Sequence, residues 1–230
     1  MALRPLVVAA GGMLAVHWSP AAAAVLPFAA KAFGIPTTID TGRVLLTFDD
    51  GPHREGTPAV LAELDRLDVS AAFFVSGEQV ERYPELVREI AAAGHELGLH
   101  GFRHRTRLQW SRRLLADDTR RAREALSAAA GVEPCLYRPP RGVFSRAGLR
   151  LIRDLGLRPL LWSKWGRDWE RGASPEEIAI RATTDLEAGD VVLLHDADHY
   201  SAPGSWRATV AALGPIADRI GAAGLQPASV

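Results

Sequence analysis

Short apolar runs alternate with helical patterns along most of this chain, and this alternation restricts its fold more than any other feature. Four runs are interpreted as buried strands: Val44-Leu45-Leu46, residues 71–75, Leu160-Leu161-Trp162 and residues 191–194. Each run is apolar throughout, as expected for strands that helices cover on both faces. Strands that alternate with helices at this spacing imply βαβ units. The sequence therefore predicts an α/β fold with mostly parallel strands.

The segments between these runs carry the stripes, caps and breakers of helices. The predicted helices start at Thr57-Pro58, at Pro84 and at Ser174, or cover residues 112–130, 145–155 and 210–223. Thr57 is predicted to be the N-cap of the first helix, because a proline follows it at the first helical position. Active sites of parallel α/β folds lie at the carboxyl ends of the strands. The polar motifs described below follow such ends, so we expect them to share one site.

The size, charge and cysteine content of the chain limit its architecture and its partners. It has 230 residues and a formal net charge of +0, which suits one globular domain. A neutral chain gives no electrostatic reason to expect nucleic acid as a partner. The single cysteine, Cys135, excludes an intramolecular disulfide and a cysteine-rich metal cluster. The oligomeric state stays open.

Residues 1–40 form an apolar segment that we separate from the domain predicted over residues 41–230. No formal charge occurs between Arg4 and Lys31, and the segment contains a run of alanines. It could be a secretory signal peptide, a membrane anchor interrupted by a histidine and a proline, or an apolar helix packed on the domain. An extracytoplasmic or membrane-anchored location is therefore as well supported as a cytoplasmic one. Any membrane association would depend on this segment.

Two adjacent carboxylates occur in the hexapeptide Thr47-Phe48-Asp49-Asp50-Gly51-Pro52, directly after the first strand. Neighbouring side chains normally diverge along a strand, but a turn at the strand end relaxes this rule. Gly51-Pro52 supplies such a turn. An isolated Asp-Asp-Gly is more often a simple turn without chemistry. Asp49 and Asp50 can instead serve one site, in which one binds a metal and the other takes a proton from water.

Two histidines, His100 and His104, lie four residues apart. In a helical turn this spacing places both imidazoles on one face, close enough to hold one ion. Alone, such a pair more often belongs to the surface or the core. Combined with Asp50, it supplies two nitrogens and one oxygen, which suit zinc or a similar divalent transition metal and leave positions for water and substrate. Asp49 is then the candidate general base.

Five motifs in this order resemble those of the polysaccharide deacetylases, the family with the NodB homology domain, also called carbohydrate esterase family 4. The motifs are Thr47 to Pro52, His100 to His104, Arg138-Pro139-Pro140-Arg141-Gly142, Asp168-Trp169 and Leu193-Leu194-His195-Asp196. The resemblance extends from about Arg43 to the C-terminus. It implies a distorted (β/α) barrel and the metal-dependent removal of acetyl groups from N-acetylated sugars.

The resemblance also implies roles for the matching residues. Asp49 would be the catalytic base, and the ligands of one divalent metal ion, with zinc expected, would be Asp50, His100 and His104.

The same resemblance implies roles for the later motifs. Arg138 would pair with the base and keep it ionised. His195 would be the general acid that protonates the leaving amine, and Asp168 would support it. The implied substrate-binding residues are Arg141, through its backbone N–H, Trp169 in the groove and Leu193 beside the acetyl methyl group.

Three positions depart from the family pattern, and one of them is Leu99, where asparagine is common. Gly101 replaces the serine or threonine that usually follows the first ligand histidine. That hydroxyl normally braces the loop, so we expect another contact to hold His104. Arg141 replaces an aromatic or small residue, and its side chain would add positive charge at the mouth of the cleft. This charge would favour anionic saccharides or phosphate-bearing carriers.

The expected function is therefore N-deacetylation of glycans such as chitin oligomers or peptidoglycan. One alternative keeps the mechanism and changes the substrate to a non-polymeric amide or a lipid-linked sugar. Another is a catalytically inactive glycan-binding domain. The joint presence of base, ligands, arginine and acid argues against this last interpretation.

Overall fold

The computed structural model describes residues 17–106, 109, 111–131 and 133–228, and seven strands in this part of the chain form one parallel sheet. In chain order they are β1 (Leu45–Asp49), β2 (Ala71–Val75), β3 (Glu96–Leu99), β4 (Leu136–Tyr137), β5 (Arg158–Pro159), β6 (Lys164–Trp165) and β7 (Val191–His195). Their order across the sheet is β5-β4-β3-β2-β1-β7-β6. The sheet curls into a partial barrel, so the predicted distorted (β/α) barrel is confirmed.

Helices connect the strands and cover the sheet. They are α1 (Pro27–Ala32), α2 (Gly56–Leu67), α3 (Gly77–Arg82), α4 (Pro84–Ala92), α5 (Arg112–Ala130), α6 (Arg146–Asp154), α7 (Pro175–Thr183) and α8 (Ser205–Ala222), with 3₁₀ turns at Ser19–Ala24 and Pro140–Gly142. Val60 and Leu64 of α2 are fully buried, as the apolar stripe predicted. Ser174 begins α7 through a reciprocal capping box with Glu177, which supplies acceptors for amides that the first turn leaves unpaired.

The register between β1 and β7 brings polar residues together at one edge of the sheet. Asp49 lies directly beside His195, and Thr47 lies beside Leu193. Side chains two residues apart point to the same face of a strand, so all four side chains share one face. Because every strand pair is parallel, the carboxyl ends of the strands meet on this edge.

The prediction that Thr57 caps α2 is wrong. Glu55 occupies the N-cap position. The Thr57 hydroxyl accepts a hydrogen bond from the backbone N–H of His53 at 2.7 Å and donates one to the carboxylate of Asp196. Thr57 thus ties the turn after β1 to the end of β7.

The predicted strand at Leu160-Leu161-Trp162 is also wrong. These residues connect β5 to β6 outside the ladder. The carbonyls of Leu160 and Leu161 accept hydrogen bonds from the guanidinium of Arg138, at 3.0 and 2.9 Å. A buried cation therefore takes the acceptors that a neighbouring strand would have used.

The described part of the N-terminal segment packs on the barrel. Ala23, Ala30 and Ile35 are buried in the main core. Residues 1–16 of that segment lie outside the described residues, and the boundary at residue 40 stays a prediction. Within the described chain, none of the helices combines the length and the apolar character needed to cross a bilayer.

Candidate active site

Both adjacent carboxylates reach one cleft at the carboxyl edge of the sheet. Asp49 is the last residue of β1, and Asp50 has a φ of 78°. This left-handed conformation breaks the alternation of the strand, so both side chains line the same cleft. The next residue, Gly51, has no room for a side chain, because a Cβ there would collide with the Asp196 carboxyl group. The turn therefore requires glycine directly after the carboxylate pair.

The two histidines of the second motif lie in an irregular loop after β3, and the expected helical turn is absent from the described residues there. Gly101 has a φ of +81°, which favours glycine over the usual serine or threonine. Asp118 of α5 accepts hydrogen bonds from the backbone N–H groups of Phe102 and Arg103, at 2.7 and 3.4 Å. These contacts, and not helical geometry, hold the loop.

Asp50, His100 and His104 form a cluster whose geometry suits a metal ion. Asp50 Oδ1 lies 3.4 Å from His100 Nε2 and 3.5 Å from His104 Nε2, and the three ligand atoms lie within 4.8 Å of one another. Asp50 Oδ1 is buried and has no hydrogen-bond partner among the described residues. Such an orphaned carboxylate oxygen is expected where a cation binds.

The protonation states of this cluster also suit a metal. Burial lowers the pKa of His100 and His104 to about 3, so both imidazoles are neutral and can donate a lone pair. Burial raises the pKa of Asp50 to about 7. A cation at this position would offset that burial and favour the ionised carboxylate. The three side chains therefore fit a divalent ion.

Arg138 is fully buried behind the cleft and holds Asp49. Its Nη1 donates to Asp49 Oδ1 at 2.7 Å and to the hydroxyl of Thr47 at 2.8 Å. Burial raises the pKa of Asp49, while the guanidinium lowers it. Arg138 thus acts in the expected direction, but the effect of burial is larger. The other carboxylate oxygen, Oδ2, lies 3.8 Å from His100 Nδ1.

His195 is oriented by Asp168 through two contacts. Its Nδ1 lies 2.9 Å from Asp168 Oδ1, and its backbone N–H donates to Asp168 Oδ2 at 2.7 Å. The hydroxyl of Thr209 donates to the same Oδ2 at 2.8 Å. Burial alone would lower the pKa of His195, but the surrounding carboxylates, led by Asp168, raise it to about 9. The ring is therefore an imidazolium near neutral pH, with Nε2 4.0 Å from Asp50 Oδ2.

The remaining walls of the cleft include all three predicted substrate-binding residues. The cleft has a volume of about 280 Å³, and its lining residues beyond those above are Arg141, Trp162, Trp165, Trp169, Leu193, Tyr200 and Ser201. Trp169 meets the His195 ring edge-on at 5.4 Å. Arg141 is exposed. The predicted site residues thus line the cleft, except Arg138 and Asp168, which lie behind it.

Sequence reasoning assigned no role to several residues that support the site. Thr47 and Thr209 bond to Arg138 and Asp168, and Tyr200 stacks on His104 with ring centroids 4.1 Å apart. Asp196 is completely buried, and burial raises its pKa to about 7. A carboxylate placed directly after an apolar strand was a usable signal for Asp196. The other three act through contacts between distant parts of the chain, which sequence spacing does not reveal.

Comparison with known proteins agrees with this geometry. The family model for polysaccharide deacetylase matches residues 38–160, more than half of the chain. A peptidoglycan-N-acetylglucosamine deacetylase from Bacillus cereus is 34% identical over 75% of this chain and 79% of its own length. A chitooligosaccharide deacetylase from Azorhizobium caulinodans is 31% identical over 83% of this chain and 94% of its own length.

A solved structure has a similar fold. The family 4 carbohydrate esterase from Streptomyces lividans, in complex with acetate, superposes with a TM-score of 0.72 at 29% identity, covering 81% of this chain and 92% of that protein. Fold and motifs together define a (β/α)-barrel hydrolase of carbohydrates. The chain belongs to the polysaccharide deacetylase family.

Proposed function

We propose that this protein is a metal-dependent hydrolase that removes N-acetyl groups from N-acetylated glycans. The single observation that carries the proposal is one cleft that joins a buried carboxylate–arginine pair, an aspartate–histidine–histidine cluster and a carboxylate-supported histidine. Amide hydrolysis needs a base for water, an electrophile for the carbonyl oxygen and a proton for the departing nitrogen. These three groups supply those needs within one cleft.

The proposed ligands of a single divalent ion are Asp50, His100 and His104, and zinc is the proposed ion because two nitrogens and one oxygen suit it. When bound, such an ion acts as a Lewis acid toward the acetyl carbonyl and makes water more acidic. The specific ion and the ligand set are proposals, which the buried, unpaired Asp50 Oδ1 supports.

Asp49 is the proposed general base, and its hydrogen bonds support Oδ2 as the oxygen that reacts. Oδ1 is occupied by the hydrogen bond from Arg138 at 2.7 Å. Oδ2 is left to accept the proton of the attacking water. Arg138 would stabilise the ionised form of Asp49 before the reaction, because an adjacent cation lowers a carboxyl pKa.

His195 is the proposed general acid. Asp168 faces Nδ1, so Nε2 carries the proton that faces the cleft. As the carbon–nitrogen bond breaks, Nε2 donates this proton to the leaving amine. Water supplies a hydroxyl to the acetyl carbon and one proton to Asp49, so the products are the amine and acetic acid, which ionises to acetate in water. Asp49 then loses its proton and His195 regains one through solvent, which restores both groups.

The proposed substrate contacts follow from the cleft walls. Trp169 would stack against a sugar ring, Leu193 would contact the acetyl methyl group, and the backbone N–H of Arg141 would donate to the carbonyl oxygen as negative charge develops there. Relatives named for peptidoglycan and for chitooligosaccharide support an N-acetylglucosamine-containing substrate.

The exposed side chain of Arg141 adds a cation at the mouth of this cleft. We expect Arg141→Ala to lower kcat/KM on anionic peptidoglycan fragments several-fold and to change it little on neutral chitin oligomers, since exposed charges contribute modestly. The check is the ratio of kcat/KM on the anionic fragments to kcat/KM on the neutral oligomers, measured for wild type and for the variant. An unchanged ratio would show that the side chain has no part in selecting charge.

The proposed reaction is tested by acetate release from N-acetylglucosamine oligomers and from peptidoglycan, using protein treated with a chelator and then supplied with zinc. We expect no release after chelation and restored release with zinc. His104→Ala, prepared in parallel, should stay inactive at the same zinc concentration. If acetate is released only from small amides or lipid-linked sugars, those compounds and not glycans are the substrates. Zinc binding without release from any substrate would favour an inactive glycan-binding domain.

A further inference from the structure

Tyr200 covers one of the proposed metal ligands. Its ring lies on the His104 imidazole with centroids 4.1 Å apart and planes 12° apart. The tyrosine is 37% exposed, and it lines the cleft beside Ser201. A nearly parallel stack at this distance restricts rotation of the imidazole, because tilting the ring would bring it into the aromatic face.

Asp118 holds the backbone of the loop at Phe102 and Arg103, but these bonds do not orient the His104 side chain. The residue after His100 is Gly101, which has no hydroxyl to brace the loop. Among the described residues, the His104 imidazole lies 3.5 Å from Asp50, 5.4 Å from the centroid of the His100 ring and 4.1 Å from that of Tyr200. Tyr200 is the closest of the two aromatic neighbours and the one that is not itself a proposed ligand.

The loop that carries Tyr200, residues 198–204, is anchored on both sides of the site. His199 Nε2 lies 3.2 Å from the carbonyl of Pro52, and the N–H of Ala202 donates to the carbonyl of Trp169 at 3.2 Å. The N–H of Gly204 donates to Asp198 Oδ2 at 2.6 Å. The loop is therefore fixed to the turn after β1 and to the segment that carries Trp169.

A second histidine–aspartate cluster, made of His53, Asp198 and His199, strengthens this anchor. His53 Nδ1 accepts hydrogen bonds from the backbone N–H groups of Glu55 and Gly56, at 3.2 and 2.9 Å. The proton of the neutral ring is therefore on Nε2, which faces Asp198 Oδ1 at 3.3 Å. A metal at Nε2 would have to displace that proton. The cluster is thus suited to hold the loop rather than an ion.

We infer that Tyr200 is a positioning residue for the metal centre, which holds the His104 imidazole in ligand orientation in place of the hydroxyl that Gly101 lacks. This inference rests on the proposed metal site. The hydrogen bonds of loop 198–204 to Pro52 and Trp169 hold Tyr200 in place for this role. The ring performs this task, because it is the ring that faces the His104 imidazole.

The inference is tested by zinc affinity, measured by competition with a chromophoric chelator on the full chain. We expect Tyr200→Ala to weaken zinc binding roughly tenfold, the lower range for loss of a residue that orients a ligand. Tyr200→Phe keeps the stacked ring and should stay within about twofold of wild type, well below that loss. Ser201→Ala, the matched control on the same loop, should bind zinc as wild type does.

A second pair of variants separates stacking from general loosening of the loop. Asp198→Ala removes the acceptor of Gly204 and the partner of His53, and we expect it to weaken zinc binding less than Tyr200→Ala. The double variant should bind no more weakly than Tyr200→Ala, since both changes act through one contact. Additive losses would overturn the inference, as would unchanged affinity in Tyr200→Ala. Wild type that binds no zinc would remove the metal site itself, an outcome distinct from the failure of Tyr200.

Discussion

At the scale of single residues, all three guanidinium nitrogens of Arg138 donate hydrogen bonds within the barrel. Nε and Nη2 donate to the carbonyls of Leu160 and Leu161, and Nη1 donates to Asp49 and Thr47. A buried cation is tolerated only when it is paired and fully hydrogen-bonded. The network that makes Arg138 tolerable is also the one that fixes Asp49, so support of the fold and support of the proposed base cannot be separated here.

The proposed base, Asp49, and the proposed metal ligand His104 should respond differently to substitution. Asp49→Asn should keep one zinc per chain and lower acetate release roughly 10²–10⁴-fold, the range for loss of a general base. His104→Ala should lose zinc and activity together. Metal content by atomic absorption and acetate release on the same preparations check both expectations. His95→Ala removes a half-buried imidazole outside the cleft and serves as the control. Full zinc stoichiometry in His104→Ala would remove that residue from the ligand set.

The pair of His195 and Asp168 predicts a defined pH response in chelator-treated protein. Asp168 is the main cause that raises the pKa of His195 to about 9. In Asp168→Asn we expect that pKa to fall to about 6.5 or below, the value for an unperturbed histidine. Two-dimensional NMR of ¹⁵N-labelled histidine measures it directly, and His95 provides an internal reference. A pKa near 9 in the variant would show that other carboxylates are sufficient.

The same pair contributes to stability in a stated pH range. The folded pKa of His195 lies above the unfolded value of about 6.5, so the contribution is complete below pH 6.5. It is lost as the pH rises through about 9, and on the order of 3 kcal/mol disappears over that interval. Urea unfolding of wild type and Asp168→Asn should therefore differ most at pH 6 and least at pH 10.

At the scale of secondary-structure elements, helix α5 holds the loop that carries the proposed metal ligands His100 and His104. Asp118→Ala removes the acceptor of the Phe102 and Arg103 amides, and we expect it to lower the free energy of unfolding by about 1–3 kcal/mol. Zinc binding should also weaken, because the loop carries both histidines. Asp117→Ala, an exposed neighbour on the same helix, should change neither. Unaltered zinc affinity in Asp118→Ala would separate the loop backbone from ligand placement.

Elements with local signals were predictable from the sequence. Ala71–Val75 and Arg112–Ala130 were predicted with the bounds that the structure has, because apolar runs, caps and helix-ending glycines are encoded locally. The connection at residues 160–162 was not, since Arg138, which directly follows β4, decides its hydrogen bonding. Motif order predicted the cleft residues. The stack of Tyr200 on His104 depends on where loop 198–204 is anchored. These anchors join residues far apart in the sequence, so residue spacing could not predict the stack.

At the scale of the whole molecule, the described N-terminal residues behave as part of the core. Ile35 is 3% exposed and packs in the main cluster, whereas Phe28 is 72% exposed. We expect Ile35→Ala to lower the free energy of unfolding of the whole domain by roughly 2–4 kcal/mol. Phe28→Ala, the control in the same segment, should change it by less than about 0.5 kcal/mol. Equal unfolding midpoints for wild type and Ile35→Ala would place the segment outside the cooperative unit.

The register of β1 with β7 has a further consequence for redesign. Asp49 and His195 are lateral neighbours in one ladder, so their main chains are separated by one inter-strand spacing, about 4.8 Å. Backbone pairing in the centre of the barrel fixes this separation, and the surface loops do not. Loops transplanted from other barrels of this kind should therefore change which polymer is accepted, while the distance between the proposed base and the proposed acid stays constant.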